Sequence, residues 1–484
     1  MSYNEGSFRR VAIVGGGISG LTAAYTFAQA REKGAPISEF LIEGNDRLGG
    51  VIRTDHLEGF VLEGGPDSFI SEKPEAAALC RELGLGNSLI GSNDSDRHTY
   101  ILHNGNLVPL PEGLMLLAPT RVWQTLASPL LPLSGKVMVA TEWFVTPTKP
   151  RNADESIATL VRRHFGKAMV DNIVEPLLAG VYGGDAGSLS VESVLPRFRE
   201  MEQRYGSLIR GASAAKRQWR KAQKRKASRT PGDQNFTSLF VTLRDGLGEL
   251  IKALEARLDP SRVHLSQRVI AIERVEPHWK SPYRIRCEGG QAYETDAIVL
   301  ALPVHECAKF LTPLNPDLAN AFSAIPYSSA ITVNLAYEEA LASLPPGFGF
   351  LVPRKEPSRL LACTFVHRKF PHRAPEGKAL LRCFLGGSRD PEVFELSNNE
   401  VILNVRRELR AILGLDVPPL FSQISRWPSA MAQYNVGHED RIMRITNLIQ
   451  KYPRIYLAGN AYSGIGLSDC IRTGREAAQH AMDM

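Results

Sequence analysis

Three glycines near the start of the chain are spaced as a nucleotide-binding turn requires. Gly15, Gly17 and Gly20 follow the apolar, strand-like segment 11–14, and residues 21–30 have the composition of a helix. The first glycine allows a tight turn, the second lets a pyrophosphate approach the backbone, and the third lets helix and strand pack closely. This spacing predicts a dinucleotide at the amino end of the helix, and a purely structural turn is the alternative.

A second strand-like segment, residues 39–43, ends in the acid Glu43. A carboxylate at this place can accept hydrogen bonds from a ribose hydroxyl, and it makes the whole unit a more specific signal than the glycines alone. The residues of this unit that we predict to contact the dinucleotide are Gly15, Gly16, Gly17, Ile18, Ser19, Gly20 and Glu43.

The segment after Glu43 favours FAD over a nicotinamide cofactor. Its pattern, Glu43-Gly-Asn-Asp-Arg47-Leu-Gly49-Gly50, resembles an extension found in FAD-dependent amine oxidases and their relatives. Arg47 can meet a phosphate, and the two glycines keep side chains away from a cofactor. A further glycine turn lies at 63–68, although each piece taken alone could be a surface loop. These two loops add the predicted cofactor contacts Arg47, Gly49, Gly50, Gly65, Pro66, Asp67 and Ser68.

Longer stretches resemble the oxygen-dependent porphyrinogen oxidases of haem synthesis, the bacterial protoporphyrinogen/coproporphyrinogen oxidase family of the flavin amine oxidase superfamily. In chain order they are GPDSF (65–69), DESIATLVRRHFG (154–166), EPLLAGVYGGD (175–185), DAIVLALP (296–303), WPSAMAQYNVGH (427–438) and GNAYSGIGLSDCI (459–471). The resemblance covers nearly the whole chain apart from residues 197–229. Ala432 and Ser468 depart from it, because family members often have Pro at these positions.

The resemblance implies an oxidase that converts protoporphyrinogen IX or coproporphyrinogen III to the porphyrin with O2. It implies three two-electron steps, each passing a hydride to N5 of a non-covalently bound FAD that O2 reoxidises, with hydrogen peroxide as a product. Because the flavin supplies this chemistry, we predict no catalytic side chain and no metal. Further FAD contacts are implied for Val269, Gly459, Ile465, Gly466 and Leu467.

The resemblance also places the tetrapyrrole substrate. Gly180 matches a family position whose backbone approaches the substrate. Lys73 and Arg97 are candidates for binding the substrate's carboxylates, and an exposed surface charge is the alternative for both. Apolar residues that pack against the tetrapyrrole are expected between 310 and 425, with Phe348, Phe350 and Phe365 among the candidates.

The motif positions predict an α/β fold with a Rossmann-like FAD-binding domain of the amine oxidase and p-hydroxybenzoate hydroxylase type. An α+β substrate domain and an inserted helical domain complete the expected architecture. The predicted boundaries are 1–70, 238–307 and 426–484 for the FAD-binding domain, 71–99 and 308–425 for the substrate domain, and 100–237 for the helical domain.

Positive charge is concentrated in one segment of the 484-residue chain, whose formal net charge is +6. Residues 197–229 hold twelve Lys or Arg and two Glu. A solvated or disordered insertion is one interpretation. Contact with anionic lipid headgroups is another, at about 1 kcal/mol for each cation near a membrane. We expect no nucleic-acid partner, since aromatic residues are not interleaved with the charges.

Residues 107–146 are rich in Leu, Val and Pro, but prolines and charges interrupt them, so they should not span a bilayer. They can form core between helices or dip into one leaflet, and relatives have a helical membrane-binding region here. Six scattered cysteines and the absence of an export signal suit the cytoplasm. The expected location is cytoplasmic, either soluble or peripheral on the inner face of the cell membrane, with hand-off to a ferrochelatase as a further partner.

Other functions compete with this one. An apolar content of 43% with 22% charged residues excludes a disordered, collagen-like or coiled-coil chain. Another FAD amine oxidase or a carotenoid desaturase-like oxidoreductase would share the cofactor site. A non-enzymatic porphyrin carrier, or a nucleic-acid module built on the basic segment, would be a binding protein. The choice between coproporphyrinogen and protoporphyrinogen stays open at this point.

Overall fold

A computed structural model gives the structure of residues 9–115, 117–147, 153–227, 236, 238–275, 282–339, 341 and 343–483. The chain forms two compact units. The first comprises Met1–Ser92, Ser238–Tyr327 and Glu439–Met484, and the second comprises Asn93–Thr237 and Ser328–His438. The division into three domains, with a separate helical domain, stays a prediction.

Strands and helices alternate through both units. The strands are β1 (Arg9–Val14), β2 (Ile37–Ile42), β3 (Thr54–Leu57), β4 (Phe60–Glu63), β5 (Phe69–Ile70), β6 (Leu89–Gly91), β7 (Thr99–His103), β8 (Asn106–Pro109), β9 (Leu114–Met115), β10 (Ala118–Pro119), β11 (Phe240–Leu243), β12 (Val263–His264), β13 (Val269–Arg274), β14 (Tyr283–Cys287), β15 (Ala292–Thr295), β16 (Ala297–Leu300), β17 (Tyr327–Tyr337), β18 (Gly349–Leu351), β19 (Leu360–Phe365), β20 (Ala379–Gly386), β21 (Phe421–Ala432) and β22 (Ile455–Leu457). The helices are α1 (Ile18–Glu32), α2 (Glu75–Glu82), α3 (Val122–Ala127), α4 (Leu133–Glu142), α5 (Ile157–Phe165), α6 (Lys167–Met169), α7 (Glu175–Tyr182), α8 (Val191–Val194), α9 (Pro196–Tyr205), α10 (Leu208–Ala227), α11 (Gly248–Glu255), α12 (Val304–Leu311), α13 (Pro316–Ser323), α14 (Val366–Lys369), α15 (Asn398–Leu413), α16 (His438–Ile449) and α17 (Leu467–Met482).

A parallel sheet in the first unit confirms the predicted Rossmann-like fold. Its strand order is β12-β2-β1-β16-β22, and every pairing is parallel. Residues Val11–Val14 of β1 are buried, as expected for a strand that is covered on both faces. The chain leaves β1 for β2 on one side and returns as β16 on the other. The carboxyl end of β1 is therefore a topological switch point, where such sheets bind ligands.

The core of the first unit packs helices against one face of this sheet. Val14 and Leu300 contribute from β1 and β16, and Phe322 contributes from α13. Ile285, from the antiparallel sheet β13-β14-β15, lies in the same core. The predicted strand–glycine–helix–strand unit is thus part of one packed body and is not an isolated motif.

The second unit is built on a seven-stranded sheet of order β21-β17-β20-β19-β18-β7-β8. Alternate residues of β20, Leu381, Cys383 and Leu385, point into one core, as the period of a strand requires. Val401 and Val405 of α15 lie in that core, because they are one helical turn apart on the same face.

The basic segment forms helices, which excludes disorder for most of it. Residues 197–229 were a candidate solvated or disordered insertion, and residues 197–205 and 208–227 belong to α9 and α10, whereas residues 228–229 lie outside the described residues. Phe198 of α9 and Leu208, Ile209 and Ala212 of α10 are buried in the core of the helical part. The last three share a helix face, so a few apolar side chains at this spacing anchor a strongly basic helix.

Residues 107–146 are partly core and partly exposed, and their membrane contact stays a prediction. Leu130 and Val139 are buried in the same helical core. Trp123, Leu133 and Phe144, by contrast, are 83%, 79% and 78% exposed. Among the described residues, every helix is too short or too polar to cross a membrane.

A buried carboxylate joins α4 to the start of α10. Glu142, 1% exposed, accepts hydrogen bonds from the amides of Leu208 (2.6 Å) and Ile209 (3.2 Å) and from the hydroxyl of Ser207 (2.7 Å). It thus satisfies amides that the first turn of α10 leaves without an intrahelical partner, and its charge lies at the positive end of the helix dipole.

The ring of His164 lies between this carboxylate and a second one. Its Nδ1 is 2.9 Å from Glu142 Oε1 and its Nε2 is 3.2 Å from Glu202 Oε1. Since both ring nitrogens face carboxylates, both must donate, which requires the imidazolium form. Burial opposes that charge, but the two carboxylates outweigh burial and raise the pKa of His164. Burial likewise opposes ionisation of Glu202, but His164 and Arg163 lower its pKa to about 2.

We predict that His164→Gln removes a pH-dependent part of the stability. The pKa of His164 is raised on folding, so its contribution is complete below about pH 6.5 and is lost as pH rises through the folded-state pKa. Urea unfolding at pH 6 should show a loss of about 3–5 kcal/mol in the variant, and a smaller loss at pH 9.

The matched control is His56→Gln, which changes an exposed histidine of β3. We expect it to follow the wild type at both pH values. If the cost of His164→Gln did not fall at any pH up to about 10, or if it rose with pH, the imidazolium assignment would be wrong.

Candidate functional site

The predicted glycine turn lies at the carboxyl end of β1. The Gly15 amide donates to the Ile42 carbonyl (2.8 Å), and Gly15 has a φ of +108°, which only glycine adopts readily. A Cβ on Gly20 would overlap the carbonyl oxygen of Gly15. Gly20 is therefore required for the close packing of α1 on the turn.

Gly17 has a different environment. A Cβ added there would meet no described heavy atom within 4 Å, and its φ of −70° suits any residue. Among the described residues, no side chain caps α1, and its first turn holds no acid. The open space and the uncapped positive end of the helix fit a phosphate, which Ile18, Ser19 and Gly20 can meet with backbone amides.

Glu43 is buried beside this turn at the end of β2. One carboxylate oxygen accepts the Gly16 amide (2.6 Å), and the other accepts the backbone and side-chain amides of Asn45 (2.8 and 2.6 Å). A carboxylate has about four acceptor positions, so it can still accept a ribose hydroxyl. Sequence analysis missed Asn45, whose position two residues after the acid is its only signal.

Arg47 braces the second glycine loop. Its guanidinium donates to the carbonyls of Leu48 (3.1 Å), Gly50 (2.6 Å) and Ile52 (3.3 Å). The Gly49 amide donates to the carbonyl of Gly16, which ties this loop to the first turn (2.8 Å). The phosphate contact predicted for Arg47 stays a prediction, and a phosphate would share a guanidinium that already holds its own loop.

The third loop, at 63–68, contacts the second through the backbone. A Cβ on Gly65 would overlap the carbonyl oxygen of Val51. The Ser68 hydroxyl donates to the Asp67 carboxylate (2.6 Å), and the Asp67 carbonyl accepts from the hydroxyl of Thr242 (2.8 Å). Pro66 and these neighbours thus belong to the same unit as the other predicted cofactor contacts.

Strand β13 and the closing motif complete the predicted contacts within the first unit. Val269 begins β13 just after Gln267, whose amide donates to the Glu43 carbonyl (2.8 Å). A Cβ on Gly459 would have the Leu302 carbonyl oxygen as its nearest described neighbour, at 4.0 Å. Leu467 is the first residue of α17, Gly466 is its N-cap, and Ile465 precedes it.

The positive end of α17 is neutralised by a protein side chain. Asp469 accepts the Gly466 amide (3.2 Å), and Lys73 Nζ donates to both of its oxygens (2.7 and 2.6 Å). The sequence predicted that this helix end faces the flavin or its pyrophosphate. Ser468, where relatives often have Pro, donates to the Lys73 carbonyl (3.1 Å) and accepts from Ala76 (3.4 Å).

The substrate candidates fall in different units. Lys73, in the first unit, forms the ion pair with Asp469 and keeps half of its side chain exposed. Arg97 and Gly180 belong to the second unit, where Arg97 is exposed and Gly180 lies in α7. Phe350 and Phe365 lie in the core of the seven-stranded sheet. All these substrate roles stay predictions.

Metal-binding groups and cysteine thiols are other side chains that could take part in chemistry. No group of three or more His, Cys, Asp or Glu among them could hold a metal ion. All six cysteines are free thiols. Burial raises the pKa of Cys470, beside the closing motif, to about 12, so its thiolate is scarce at neutral pH.

Comparison with known proteins identifies the class of cofactor. A family model described as flavin containing amine oxidoreductase matches residues 18–482. The chain belongs to this family. Its cofactor is a flavin, and the glycine turn, the uncapped α1 and Glu43 are the features that fit one.

Named relatives cover almost the whole chain. Coproporphyrinogen III oxidase of Bacillus subtilis is 33% identical over 479 residues, which are 98% of both chains. Protoporphyrinogen oxidase 1 of Arabidopsis thaliana chloroplasts is 30% identical, over 96% of this chain and 86% of its own. A crystal structure from Exiguobacterium sp. 255-15, assigned as a protoporphyrinogen oxidase, has a TM-score of 0.83 at 30% identity and covers 98% of both chains. Putrescine oxidase, 18% identical with a TM-score of 0.67 over 98% of this chain and 99% of its own, shares the fold.

Gly17→Ala and Gly20→Ala should separate flavin binding from folding. The new Cβ at position 17 enters space that we assign to the phosphates, so we expect FAD affinity to fall about tenfold or more with little change in melting temperature. At position 20 it overlaps the Gly15 carbonyl, so we expect a loss of stability of about 1–3 kcal/mol or more.

Absorbance at 450 nm in purified protein measures flavin content, and thermal unfolding of flavin-free protein measures the fold. Normal flavin content in Gly17→Ala would show that the phosphates do not lie against this turn.

Proposed function

We propose that this chain is an FAD-dependent porphyrinogen oxidase of haem synthesis, which converts protoporphyrinogen IX or coproporphyrinogen III to the porphyrin with O2. The observation that carries the proposal is similarity to named coproporphyrinogen III oxidases, at 30–33% identity over nearly the whole of both chains. Another amine oxidase or a carotenoid desaturase-like oxidoreductase would have the same predicted flavin contacts. Relatives with porphyrinogen names, however, are 30–33% identical to this chain, whereas putrescine oxidase is 18% identical over a similar length.

The proposed cofactor is FAD, held without a covalent bond. The α1 amides and the open space at Gly17 would bind its pyrophosphate, and Glu43 would accept a ribose hydroxyl. The raised pKa of the Cys470 thiol supports non-covalent binding, because a protonated thiol is a poor nucleophile. When bound, FAD supplies the hydride acceptor and the reaction with O2.

On the substrate side, the chain supplies binding and orientation. Gly180 is proposed to present its backbone to the tetrapyrrole, as the family resemblance of residues 175–185 implies. A Cβ there would lie 2.9 Å from the Leu351 side chain, so a glycine is also favoured by packing within the protein. Arg97 is proposed to bind a substrate carboxylate. Lys73 can do so only by sharing its ammonium group with Asp469.

The proposed location is the cytoplasm, with peripheral contact to the inner face of the cell membrane. Trp123, Leu133 and Phe144 expose large apolar side chains, and Lys136 lies on the same helix as Leu133. Basic helix α10 belongs to the same unit. Exposed apolar and cationic side chains are the combination that binds an anionic bilayer surface. Hand-off of the porphyrin to a ferrochelatase would follow from the same place in haem synthesis.

The reaction itself is the direct test of the proposed function. Purified yellow protein under air should turn non-fluorescent coproporphyrinogen or protoporphyrinogen into the fluorescent porphyrin, with about three H2O2 for each porphyrin formed. Values of kcat/KM for the two substrates decide between them, since they differ in two carboxylates. Gly17→Ala, depleted of flavin, is the control for oxidation by air alone. Flavin reduction by amines and not by porphyrinogens would favour an amine oxidase.

Membrane contact is tested by replacing Trp123 and Phe144 with Ser. Each exposed aromatic side chain that enters a bilayer contributes about 1.5–3 kcal/mol, so the double variant should lose at least tenfold in vesicle affinity. Sedimentation with phosphatidylglycerol vesicles measures this, with phosphatidylcholine vesicles as the uncharged comparison. The matched control is Leu403→Ser, an exposed apolar residue of α15. Equal binding by all three proteins would contradict the proposal.

A further inference from the structure

Tyr327 links two loops at the carboxyl edge of the parallel sheet, the edge at which the predicted flavin site lies. Its hydroxyl accepts the amide of Val304 (3.4 Å) and donates to Oδ1 of Asn460 (3.1 Å). Val304 begins α12 shortly after β16, and Asn460 follows β22. Because β16 and β22 are parallel neighbours, both loops leave the same edge of the sheet as the glycine turn after β1.

The phenol is held in one position and in one protonation state. The ring of His305 packs edge-on against the Tyr327 ring, with centroids 4.9 Å apart and planes at 75°. Burial raises the pKa of Tyr327, so the hydroxyl keeps its proton at physiological pH. It is therefore a permanent donor to Asn460.

This bond fixes the orientation of the Asn460 carboxamide. A carboxamide has an acceptor oxygen and a donor nitrogen on opposite sides of one plane. Once Oδ1 accepts the phenol proton, the two Nδ2 protons face away from Tyr327. The neighbouring Gly459 leaves space next to the closing motif, since a Cβ on it would come no closer than 4.0 Å to a described atom.

We propose that Tyr327 is a positioning residue for the cofactor, which orients Asn460 so that its amide nitrogen donates to an acceptor atom of the bound flavin. Tyr327 does not itself touch the flavin in this arrangement. The inference rests on the flavin site of the proposed function and is independent of which substrate the flavin oxidises.

The test compares Tyr327→Phe with Tyr283→Phe in the full-length holoenzyme. Tyr283 is a buried tyrosine of the same unit, and its hydroxyl donates to the Pro453 carbonyl (2.7 Å), away from the closing motif. Tyr327→Phe loses the hydrogen bonds to Val304 and Asn460, and Tyr283→Phe loses the one to Pro453, all of them partly buried. Only Tyr327→Phe should raise the FAD dissociation constant, by about three- to tenfold, measured from free-FAD fluorescence on stepwise dilution.

Two further readings separate positioning from stability. The visible absorption bands of the bound flavin should shift in Tyr327→Phe and stay unchanged in Tyr283→Phe. In a double-mutant cycle, Tyr327→Phe should add little to the effect of Asn460→Ala on the dissociation constant, because the phenol acts through that amide. Equal FAD affinity and equal spectra in the two tyrosine variants would overturn the proposal.

Asn460→Asp decides the matter if Tyr327→Phe does not fold. The carboxylate can still accept the phenol proton, but it has no donor nitrogen. Weaker FAD binding at an unchanged melting temperature supports the proposal, and unchanged binding overturns it. A chain in which FAD affinity depends on Tyr327 but no porphyrinogen is oxidised would refute the proposed function and leave this inference standing.

Discussion

Backbone-to-backbone contact at the end of β1 is the constraint on which the cofactor site depends. Position 20 must lack a side chain for α1 to pack on the Gly15 carbonyl, and position 65 must lack one for its loop to meet Val51. The Gly49 amide then reaches the Gly16 carbonyl. Three loops can therefore surround the first turn of α1 without placing a side chain in front of it, and that space at Gly17 fits a diphosphate.

Charge is arranged to match this geometry. Among the described residues, α1 has no capping side chain and no acid in its first turn, so its positive end is available to a ligand. The start of α17 is different, because Asp469 is bound there and is neutralised by Lys73. One helix end is thus suited to binding an anion. The start of α17 is instead bound to Lys73, in the segment after the third loop, through Asp469.

Local patterns predicted the parts of the site that local geometry creates. The strand–glycine–helix unit, Glu43 at the end of β2 and the glycines before α17 could be placed directly, since each local geometry depends on residues within a few positions of one another, and their contacts with the cofactor stay predictions. Partners far apart in sequence could not, as Tyr327 with Asn460 and Lys73 with Asp469 show. Nothing in a single sequence indicates which distant side chains will meet.

Sequence patterns also left open which residues are buried in the core and which face a ligand. Phe350 and Phe365 are apolar residues of strands, and the pattern alone does not tell which sheet face meets a ligand and which meets α15. The position of the basic helix α10 was left open for a related reason. Its charge dominates its composition, whereas its position depends on Leu208, Ile209 and Ala212 near its start.

In the helical part of the second unit, one buried carboxylate fixes how two helices pack. A buried ion is tolerated only when its hydrogen-bonding positions are filled, and Glu142 fills them with donors from Ser207, Leu208 and Ile209 and with His164. Helices α4 and α10 therefore cannot slide relative to each other without leaving a charge unsatisfied.

Trp123 and Phe144 are exposed, so the chain does not gain the hydrophobic free energy of about 1.5–3 kcal/mol that burial of each side chain would contribute. The proposed contact with an anionic membrane surface would use these exposed side chains together with the basic helix α10 of the same unit.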